Sequence, residues 1–457
     1  MVNAKIGLEI HGYLMMNETK KKLFCNCDIS TSETTPNTNI CPICTGQPGN
    51  KPMMPNEEAV RKIVACALML GCKVNYDLLF QRKHYNYPDL PNGYQKTMSG
   101  AYGVPVGQNG EFSGIRINEV HLEEDPARYD PITGKVDYNR CGFPLIEIVT
   151  EPDFTSTEQV SDWIKNLLTA LGYVNAIDKE AGIKSDVNVS ISPKFLRAEI
   201  KNVNSIKSIV RAIEYEIERQ QEEPVEKMET RAWVDDKSVT KLMRIKETVS
   251  EYMFIPEPDL PVVQIDDEFI KEIEDGLPER PQVKIKKFIE LGIPEVDAKI
   301  IASEVELAHL FEKVVKEIDP VLAANWLRRE LKRVLHYNEK TLAEIKLDEK
   351  YLIELLKLVE EKKITDTTAQ RLLEKLIREP FSPNQYVKEQ KLEAVSGEKE
   401  LKQFCEDAIK ENSKAAEDFK KGEEKALNFL CGFVMRKTKG KADPAKVKKL
   451  MLELLEK

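Results

Sequence analysis

The sequence predicts an α+β protein in which an N-terminal antiparallel sheet domain is followed by all-α helical and tail domains. The first observation is a change of pattern near Gly276: short alternating segments rich in Pro, Gly and Asn precede it, and nearly continuous helical periodicity follows it. The second is the stretch AAEDFKKGEEKALNFLCGFVM (Ala415–Met435), in which apolar residues recur three and four positions apart. The pattern therefore indicates a sheet-containing first half and a helical second half.

The domain boundaries follow from the length and from three loop-like stretches. A chain of 457 residues is expected to form two or three domains. The segment DGLPERP (Asp275–Pro281) ends the first pattern, and REPFSPNQY (Arg378–Tyr386) and EAVSGEKE (Glu393–Glu400) are typical of a linker. We therefore expect a first domain at 1–280, a helical domain at 281–395 and a helical tail domain at 398–457.

The composition is that of a globular protein in a reducing compartment. Hydrophobic residues make up 41% and charged residues 32% of the chain, and no apolar run approaches the ~20 residues that span a bilayer. The start, MVNAKIGLEI, lacks a signal-peptide pattern, so we expect a cytoplasmic protein without a membrane partner. The net charge of −9 argues against nucleic-acid binding over the whole surface but leaves room for a local basic patch.

Polar and apolar side chains alternate in several predicted strands of the first domain. KIGLEIH places Glu9 and His11 on one face, and SDVNVSIS does the same with Asp186 and Asn188. The segments RAEIKN, HLEED and PLIEIVTEPD add Glu199, Lys201, His121, Glu123, Glu124, Glu147 and Glu151. Such alternation is typical of an antiparallel sheet with one solvated face. Acids and amides that converge on one face would instead suit Mg²⁺, which prefers oxygen ligands.

Cys25, Cys27, Cys41 and Cys44 follow the first predicted strand with the spacing C-x-C-x13-C-x-x-C. Two close pairs joined by a loop match the needs of tetrahedral Zn²⁺, and four thiolates leave no open position for catalysis. We therefore expect structural zinc in the loop 25–44. An iron–sulfur cluster, and a redox dithiol or free thiols, are the alternatives.

Familiar catalytic motifs are missing, because the sequence contains no P-loop, no dinucleotide-binding glycine motif and no nucleophile elbow. None of the five histidines has an obvious Ser or Cys partner, which disfavours nucleophilic hydrolysis. The segment FQRKHYNYPDLPNGYQ (Phe80–Gln95) offers Arg82 and Lys83 beside tyrosines, where they could meet phosphate or carboxylate groups. An ordinary surface loop fixed by prolines is the alternative interpretation.

Eight segments that occur in order across the first 261 residues carry a family resemblance. They are IGLEIHGYL, HYNYPDLPNGYQ, HLEEDPAR, RCGFPLIEIVTEPD, SDVNVSI, EIKNVNS, ETRAW and YMFIPEPDLP. Together they resemble the B subunit of the tRNA-dependent aspartyl/glutamyl-tRNA amidotransferase of archaea and bacteria. The helical region with GFVMRKTKGKADP (Gly432–Pro444) is similar to the helical and tail domains of that protein.

The resemblance implies a first domain, the cradle domain, with a fold related to glutamine synthetase, and an ATP-dependent ligase activity. Such a protein binds Asp-tRNA(Asn) or Glu-tRNA(Gln), phosphorylates the side-chain carboxylate with ATP and Mg²⁺, and lets ammonia displace the phosphate. The ammonia comes from glutamine hydrolysed by an amidase partner, the A subunit, and a small C subunit joins the other two in a heterotrimer. Which of the two charged tRNAs is the substrate stays open.

The same resemblance assigns roles to residues of the first domain. The implied catalytic residues are His11, Glu124, Arg82 and Lys83, and the implied cofactor-binding residues are Asp186, Asn188, Glu199 and Lys201. The candidate Mg²⁺ ligands are Glu9, His11, Glu123, Glu124, Glu147 and Glu151. His11 could instead act on ammonia. These roles suit the reaction, because acyl phosphate formation brings a carboxylate against a polyanion and requires cations.

The tail carries local basic charge that suits the phosphate backbone of tRNA. MRKTKGKADPAKVKK (Met435–Lys449) holds seven basic residues and one acid, although a solvated helix end is the alternative. Two other functions compete with the amidotransferase: a ligase of the glutamine synthetase type that acts on a free small acid, and a zinc-stabilised RNA-binding protein without catalysis. The basic helical tail argues against the first, and the acidic sheet face argues against the second.

Overall fold

The computed structural model describes residues 3–31, 33–177, 182–245, 252–342, 344–345, 347–394, 398–420, 423–438 and 440–455. The chain divides into two compact units, Met1–Pro281 and Gln282–Lys457. The predicted boundary between the helical and the tail domain falls on residues 395–397, which lie outside the described residues.

The first unit is built around one large sheet. Its strands are β1 (Ala4–Tyr13), β2 (Lys73–Val74), β3 (Asp77–Leu78), β4 (Gln81–His84), β5 (Tyr94–Thr97), β6 (Gly107–Phe112), β7 (Ile115–Glu124), β8 (Arg128–Tyr129), β9 (Val136–Asp137), β10 (Pro144–Thr150), β11 (Ile183–Ile191), β12 (Ala198–Val203), β13 (Glu229–Val234), β14 (Val239–Ile245), β15 (Met253–Pro256) and β16 (Val263–Gln264). The main order is β14-β13-β12-β11-β1-β10-β7-β5-β4-β15, and β6 joins β7 to β2. β3 pairs with β16, and β8 pairs with β9.

The large sheet is mixed, whereas the sequence predicted an antiparallel sheet. β12 and β13 run parallel, with Glu199 opposite Thr230, while the other pairs formed by described residues are antiparallel. The helix Ile206–Glu222 connects the two parallel strands. A tight turn cannot join parallel strands, so a crossover of this kind is needed. The α+β class is confirmed, with a mixed sheet followed by a helical region.

The helices of the first unit are α1 (Glu57–Met69), α2 (Thr157–Tyr173), α3 (Ile206–Glu222) and α4 (Asp267–Gly276). Each begins after a polar residue whose side chain accepts a backbone N–H of the first turn. α1 packs on β6 and β7, and α3 packs on β11 and β12. On β1, Ile6, Leu8 and Ile10 are fully buried, so the alternating residues Glu9 and His11 occupy the other face.

The second unit is built from helices joined by turns. They are α5 (Pro281–Glu290), α6 (Glu295–Ile301), α7 (Val305–Val314), α8 (Pro320–Asn325), a π-helix (Trp326–Leu331), α9 (Lys332–Tyr337), α10 (Glu349–Glu360), α11 (Asp366–Leu376), α12 (Pro383–Glu389), α13 (Glu398–Glu411), α14 (Ser413–Lys420), α15 (Glu424–Lys437) and α16 (Pro444–Leu455). Thr365 Oγ1 donates to Gly440 O at 2.6 Å and joins the turn before α16 to the start of α11. Among the described residues, no helix is both long and apolar enough to cross a bilayer.

Candidate active site

Strand β1 places Glu9, His11 and Tyr13 on one face at alternate positions. β11 and β10 run antiparallel on either side of it, with Glu9 opposite Asp186 and His11 opposite Glu147. β12 follows β11 and β7 follows β10 in the sheet. Five adjacent strands therefore bring their polar side chains to one region of the sheet.

His11, Glu123 and Glu147 form the first cluster of potential ligands, since one atom of each lies within 4.8 Å of the others. His11 Nε2 is 3.2 Å from Glu147 Oε2 and 3.7 Å from Glu123 Oε1. His121 Nε2 contacts the same Glu147 oxygen at 2.9 Å. Glu123 Oε2 is buried and makes no hydrogen bond with the described residues, so this oxygen is available to a cation.

The pKa values of this cluster are strongly shifted. Burial lowers the pKa of His11, but the charge and the hydrogen bond of Glu147 outweigh burial and raise the pKa to about 9. Burial and Glu147 act on His121 in the same way and raise its pKa to about 10. Burial raises the pKa of Glu147, but the two histidines outweigh it and hold the pKa well below its ordinary value. The buried carboxylates therefore need positive charge close by, which protonated histidine or a metal cation supplies.

Glu9, Asp186 and Glu199 form the second cluster, with one oxygen of each within 4.8 Å of the others. Lys201 Nζ lies 2.6 Å from Asp186 Oδ2 and 2.5 Å from Glu199 Oε1. Asn188 Nδ2 donates to Glu9 Oε1 at 3.1 Å, and Asn188 Oδ1 is buried without a hydrogen bond to the described residues. Burial, and then the nearby carboxylates, raise the pKa of Glu9. This oxygen-rich donor set fits Mg²⁺.

Arg82 and Lys83 are neighbours on β4 and make different contacts. Lys83 Nζ lies 4.9 Å from the centre of the Tyr252 ring, and Lys83 lines a cavity beside the two clusters. Arg82 donates to Glu257 through Nε at 3.0 Å and through a terminal nitrogen at 2.7 Å, and it lies over the Tyr94 ring. The structure thus brings Lys83 into the candidate site and places Arg82 in a separate ion pair.

Glu124 and Glu151 lie outside both clusters. Glu124 follows Glu123 on β7 and faces the other side of the sheet. There its Oε1 accepts from the Lys96 backbone N–H at 3.0 Å and from Lys96 Nζ at 2.7 Å. Glu151 comes just after β10, and its N–H donates to Arg116 O at 2.9 Å. Among the described residues, the contacts of these two acids do not include another candidate Mg²⁺ ligand.

Sequence reasoning missed a polar group in the same cavity, which has a volume of about 360 Å³ and is also lined by Tyr13, Asp125 and Arg140. The Tyr13 hydroxyl donates to Asp125 Oδ2 at 2.8 Å, and Arg140 Nε lies 2.5 Å from the same oxygen. Burial raises the pKa of Asp125 to about 6, although Arg140 and Tyr13 oppose the shift. The alternation that selects His11 and Glu123 also selects Tyr13 and Asp125, so a signal for two of the three residues was present.

The cysteines of the loop 25–44 converge after β1. The sulfur atoms of Cys25, Cys27, Cys41 and Cys44 lie within 4.8 Å of one another, and none of them is in a disulfide. Cys41 Sγ is 3.8 Å from Cys44 Sγ. Bonds of about 2.3 Å to a tetrahedral zinc ion would place sulfurs about 3.8 Å apart, so the donor set fits zinc. Lys22, which is 1% exposed, donates to Cys44 Sγ at 3.5 Å and offsets part of the thiolate charge.

The chain matches known proteins over its whole length. The family model of the GatB/GatE catalytic domain matches residues 4–271, and that of the GatB domain matches residues 309–455. The chain is 44% identical to the aspartyl/glutamyl-tRNA(Asn/Gln) amidotransferase B subunit of Methanocaldococcus jannaschii, over 100% of this chain and 98% of the relative. It is 45% identical to the protein of the same name from Methanothermobacter thermautotrophicus, over 98% of this chain and 99% of the relative. The chain therefore belongs to the family of aspartyl/glutamyl-tRNA(Asn/Gln) amidotransferase B subunits.

Proposed function

We propose that this chain is the B subunit of a glutamine-dependent tRNA amidotransferase. It is an ATP-dependent carbon–nitrogen ligase that converts the side-chain carboxylate of Asp-tRNA(Asn) or Glu-tRNA(Gln) into an amide for protein biosynthesis. The observation that carries the proposal is the pair of oxygen-rich clusters on adjacent strands, in a chain that matches relatives of this name over its full length.

The first step forms an acyl phosphate. A carboxylate oxygen of the aminoacyl side chain attacks the γ-phosphorus of ATP, the bond from that phosphorus to the bridging oxygen breaks, and ADP leaves. Bound Mg²⁺ would offset the repulsion between the two anions. The ligands that we assign are the members of the two clusters: Glu9, His11, Glu123, Glu147, Asp186 and Glu199.

Two lysines supply positive charge from the chain itself. Lys83 forms no ion pair with the described residues and lines the cavity, so we assign it to the phosphoryl group in transfer. Lys201 pairs with Asp186 and Glu199 and holds both carboxylates in place. We assign the phosphates of ATP to the side of the site formed by Lys201, its two carboxylate partners and Asn188, which contacts Glu9.

The second step forms the amide. The nitrogen of ammonia attacks the acyl carbon, the bond from that carbon to the phosphate-bearing oxygen breaks, and phosphate leaves as the nitrogen loses a proton. His11 Nε2 has a Glu147 oxygen at 3.2 Å and a Glu123 oxygen at 3.7 Å. Because both neighbours are carboxylates, we assign His11 to the metal rather than to the proton of ammonia.

The chain works in a cytoplasmic heterotrimer, in which the amidase partner hydrolyses glutamine to supply ammonia and the small C subunit joins that partner to this chain. We assign 1–280 to a catalytic cradle domain related to glutamine synthetase, 281–395 to a helical domain and 398–457 to a tail that contacts tRNA. The basic segment Met435–Lys449 supports the tail assignment, although Lys439 lies outside the described residues. We assign structural Zn²⁺ to the four clustered cysteines, whose sulfur atoms lie within 4.8 Å of one another.

The test incubates the chain and its two protein partners with ATP, Mg²⁺, glutamine and Asp-tRNA(Asn) or Glu-tRNA(Gln) labelled in the acyl group. We expect labelled asparagine or glutamine after the tRNA is hydrolysed. No labelled amide from either substrate would contradict the proposal and leave an RNA-binding role. Amidation of free aspartate or glutamate without tRNA would favour the small-acid ligase.

A further inference from the structure

A second polar group lies in the cavity next to the first cluster. Tyr13 comes two residues after His11 on the same face of β1, about 6.8 Å further along the strand. Its hydroxyl contacts Asp125, which also pairs with Arg140. These three side chains and His11 line one cavity of about 360 Å³. A short ligand can therefore reach both groups at once.

The Asp125 carboxylate is only half satisfied. The residue is 5% exposed, and the hydrogen bond from Tyr13 and the close contact with Arg140 Nε both involve Oδ2. Oδ1 makes no hydrogen bond with any residue that the structure describes. Asp125 lines the cavity, so an oxygen that accepts no hydrogen bond from the described residues is open to a donor on a ligand. The missing donor is expected from a ligand, and a charged N–H donor satisfies a carboxylate best.

The loop that carries Arg140 is itself held in place by the rest of the chain. Arg140 follows Asn139, whose side chain accepts from Asn39 N at 2.9 Å and donates to Thr35 O at 2.7 Å. Both partners belong to the loop 25–44, which carries the four clustered cysteines and is called the cysteine segment below. The cysteine segment thus holds the loop of Arg140, and Arg140 holds one oxygen of Asp125 while the other stays available.

The chemistry of the two groups defines the ligand. At one end of the cavity, Asp125 can accept a hydrogen bond from a charged N–H donor. At the other end lie the two clusters of potential Mg²⁺ ligands, the acidic clusters, where our proposed function places the reacting carboxylate. An aspartyl or glutamyl ester carries both features on one short skeleton, an α-ammonium and a side-chain carboxylate. An uncharged tRNA end carries neither of them.

We propose that Asp125 binds the α-ammonium of the aminoacyl group, with Tyr13 and Arg140 as its positioning residues. The inference rests on the proposed function and adds the site that recognises the amino acid. The α-ammonium is then fixed at one end of the cavity, so the side-chain carboxylate lies toward His11 and Glu147. The chain distinguishes an aminoacylated tRNA end from an uncharged one through this contact.

The test uses the charged tRNA that the complete complex amidates, Asp-tRNA(Asn) or Glu-tRNA(Gln). It compares this substrate with the same aminoacyl-tRNA treated with nitrous acid, in which a hydroxyl of similar size replaces the α-ammonium. We expect the loss of the ammonium to lower kcat/KM for amide formation about 30-fold in the unchanged protein, as for one charged hydrogen bond. In Asp125→Asn the two substrates should differ by no more than about threefold. Damage to the fold would lower both values alike and leave their ratio unchanged.

The matched control is Asp130→Asn, because Asp130 is a nearby aspartate that bonds within its own turn at Ile132 and Thr133. This variant should keep the 30-fold preference. If Asp125→Asn does not fold, Tyr13→Phe removes one hydrogen bond from Oδ2 and should reduce the preference severalfold. Equal kcat/KM for the two substrates in the unchanged protein would overturn the inference alone, as would a full preference in Asp125→Asn. Absence of amide from either substrate would instead contradict the proposed function.

Discussion

The acidic clusters and the cysteine cluster lie in the same unit but differ in what their donors leave open. At the acidic clusters, Glu123 Oε2 and the Oδ1 of Asn188, which contacts Glu9, are buried without hydrogen bonds to the described residues, and Glu123 also lines the cavity. In the cysteine cluster, the four sulfurs lie within 4.8 Å of one another and can fill all four positions of a tetrahedral zinc ion, and Lys22 contacts one of them. The difference shows that an active site is marked by polar atoms that are still free to bind a ligand beside a cavity, rather than by the number of metal ligands.

The two regions are nevertheless connected. Asn37 accepts the Tyr138 N–H at 2.7 Å and its own N–H donates to Asp137 at 2.9 Å, so the cysteine segment is bonded to the loop that carries Arg140. The cysteine cluster, with all four of its ligand positions filled, can therefore stabilise the candidate active site without taking part in the reaction there. Three substitutions test this division of roles, and a fourth tests the contact that holds the chain just before the cysteine segment to α1.

The largest effect is expected for Glu147→Gln. Glu147 contacts both His11 and His121, and the amide removes the charge that holds the first cluster together. We expect tRNA-dependent ATP hydrolysis to fall at least about 1,000-fold, as for loss of a principal electrostatic group. Zinc content, measured by mass spectrometry, should not change.

The matched control is Glu151→Gln, which alters the same side-chain type four residues later and outside both clusters. Its activity should stay within about twofold, as for an ordinary surface change. Loss of zinc in Glu147→Gln, or equal loss of activity in Glu151→Gln, would break the separation of the two regions.

Cys41→Ser should act first on metal content and stability. One of four thiolates is lost, so bound zinc should fall from about one per chain to almost none, and the free energy of unfolding should drop by about 3 kcal/mol or more. Activity should decline only to the extent that folded protein is lost. Cys431→Ser, in α15 of the second unit, is the control and should retain zinc. Full zinc content in Cys41→Ser would contradict the assigned centre.

Glu124→Gln tests the acid that the structure places away from the clusters. It leaves Lys96, which is 3% exposed, without its charged partner, and should cost about 3 kcal/mol of unfolding free energy. Chemical denaturation measures this cost. The double variant Glu124→Gln with Lys96→Met should recover most of it, because no unpaired charge remains. A loss of turnover at full stability in Glu124→Gln would return this residue to the active site.

The alternation in the sequence predicted which side chains of one strand share a face, but it did not predict which strands are neighbours in the sheet. Alternation alone groups Glu9 with His11 and separates Glu123 from Glu124, yet only the pairing of β7 with β10 determines which glutamate joins the site. That pairing depends on contacts between distant parts of the chain. The parallel pair β12–β13 does have a local signal in the sequence, because a stretch of helical length separates the two strands and parallel strands need such a crossover. Arg140 lies in a loop, where no periodicity applies.

The smallest effect is expected for Glu58, which holds Glu18 and Thr19, residues that precede the cysteine segment, against α1. Its carboxylate accepts from Thr19 N at 2.7 Å and from Glu18 N at 3.1 Å. Burial raises the pKa of Glu58, but these hydrogen bonds outweigh it and lower the pKa below 4.5.

Because the folded-state pKa is depressed, the stability that Glu58 contributes is present above pH 4.5 and is lost as the pH falls through the folded-state value. Glu58→Gln should thus cost about 1–2 kcal/mol near neutral pH, and the difference from the unchanged protein should be smaller at an acidic pH below the ordinary value of 4.5. Urea denaturation at the two pH values measures it, and a difference independent of pH would show that the hydrogen bonds do not depend on the carboxylate charge.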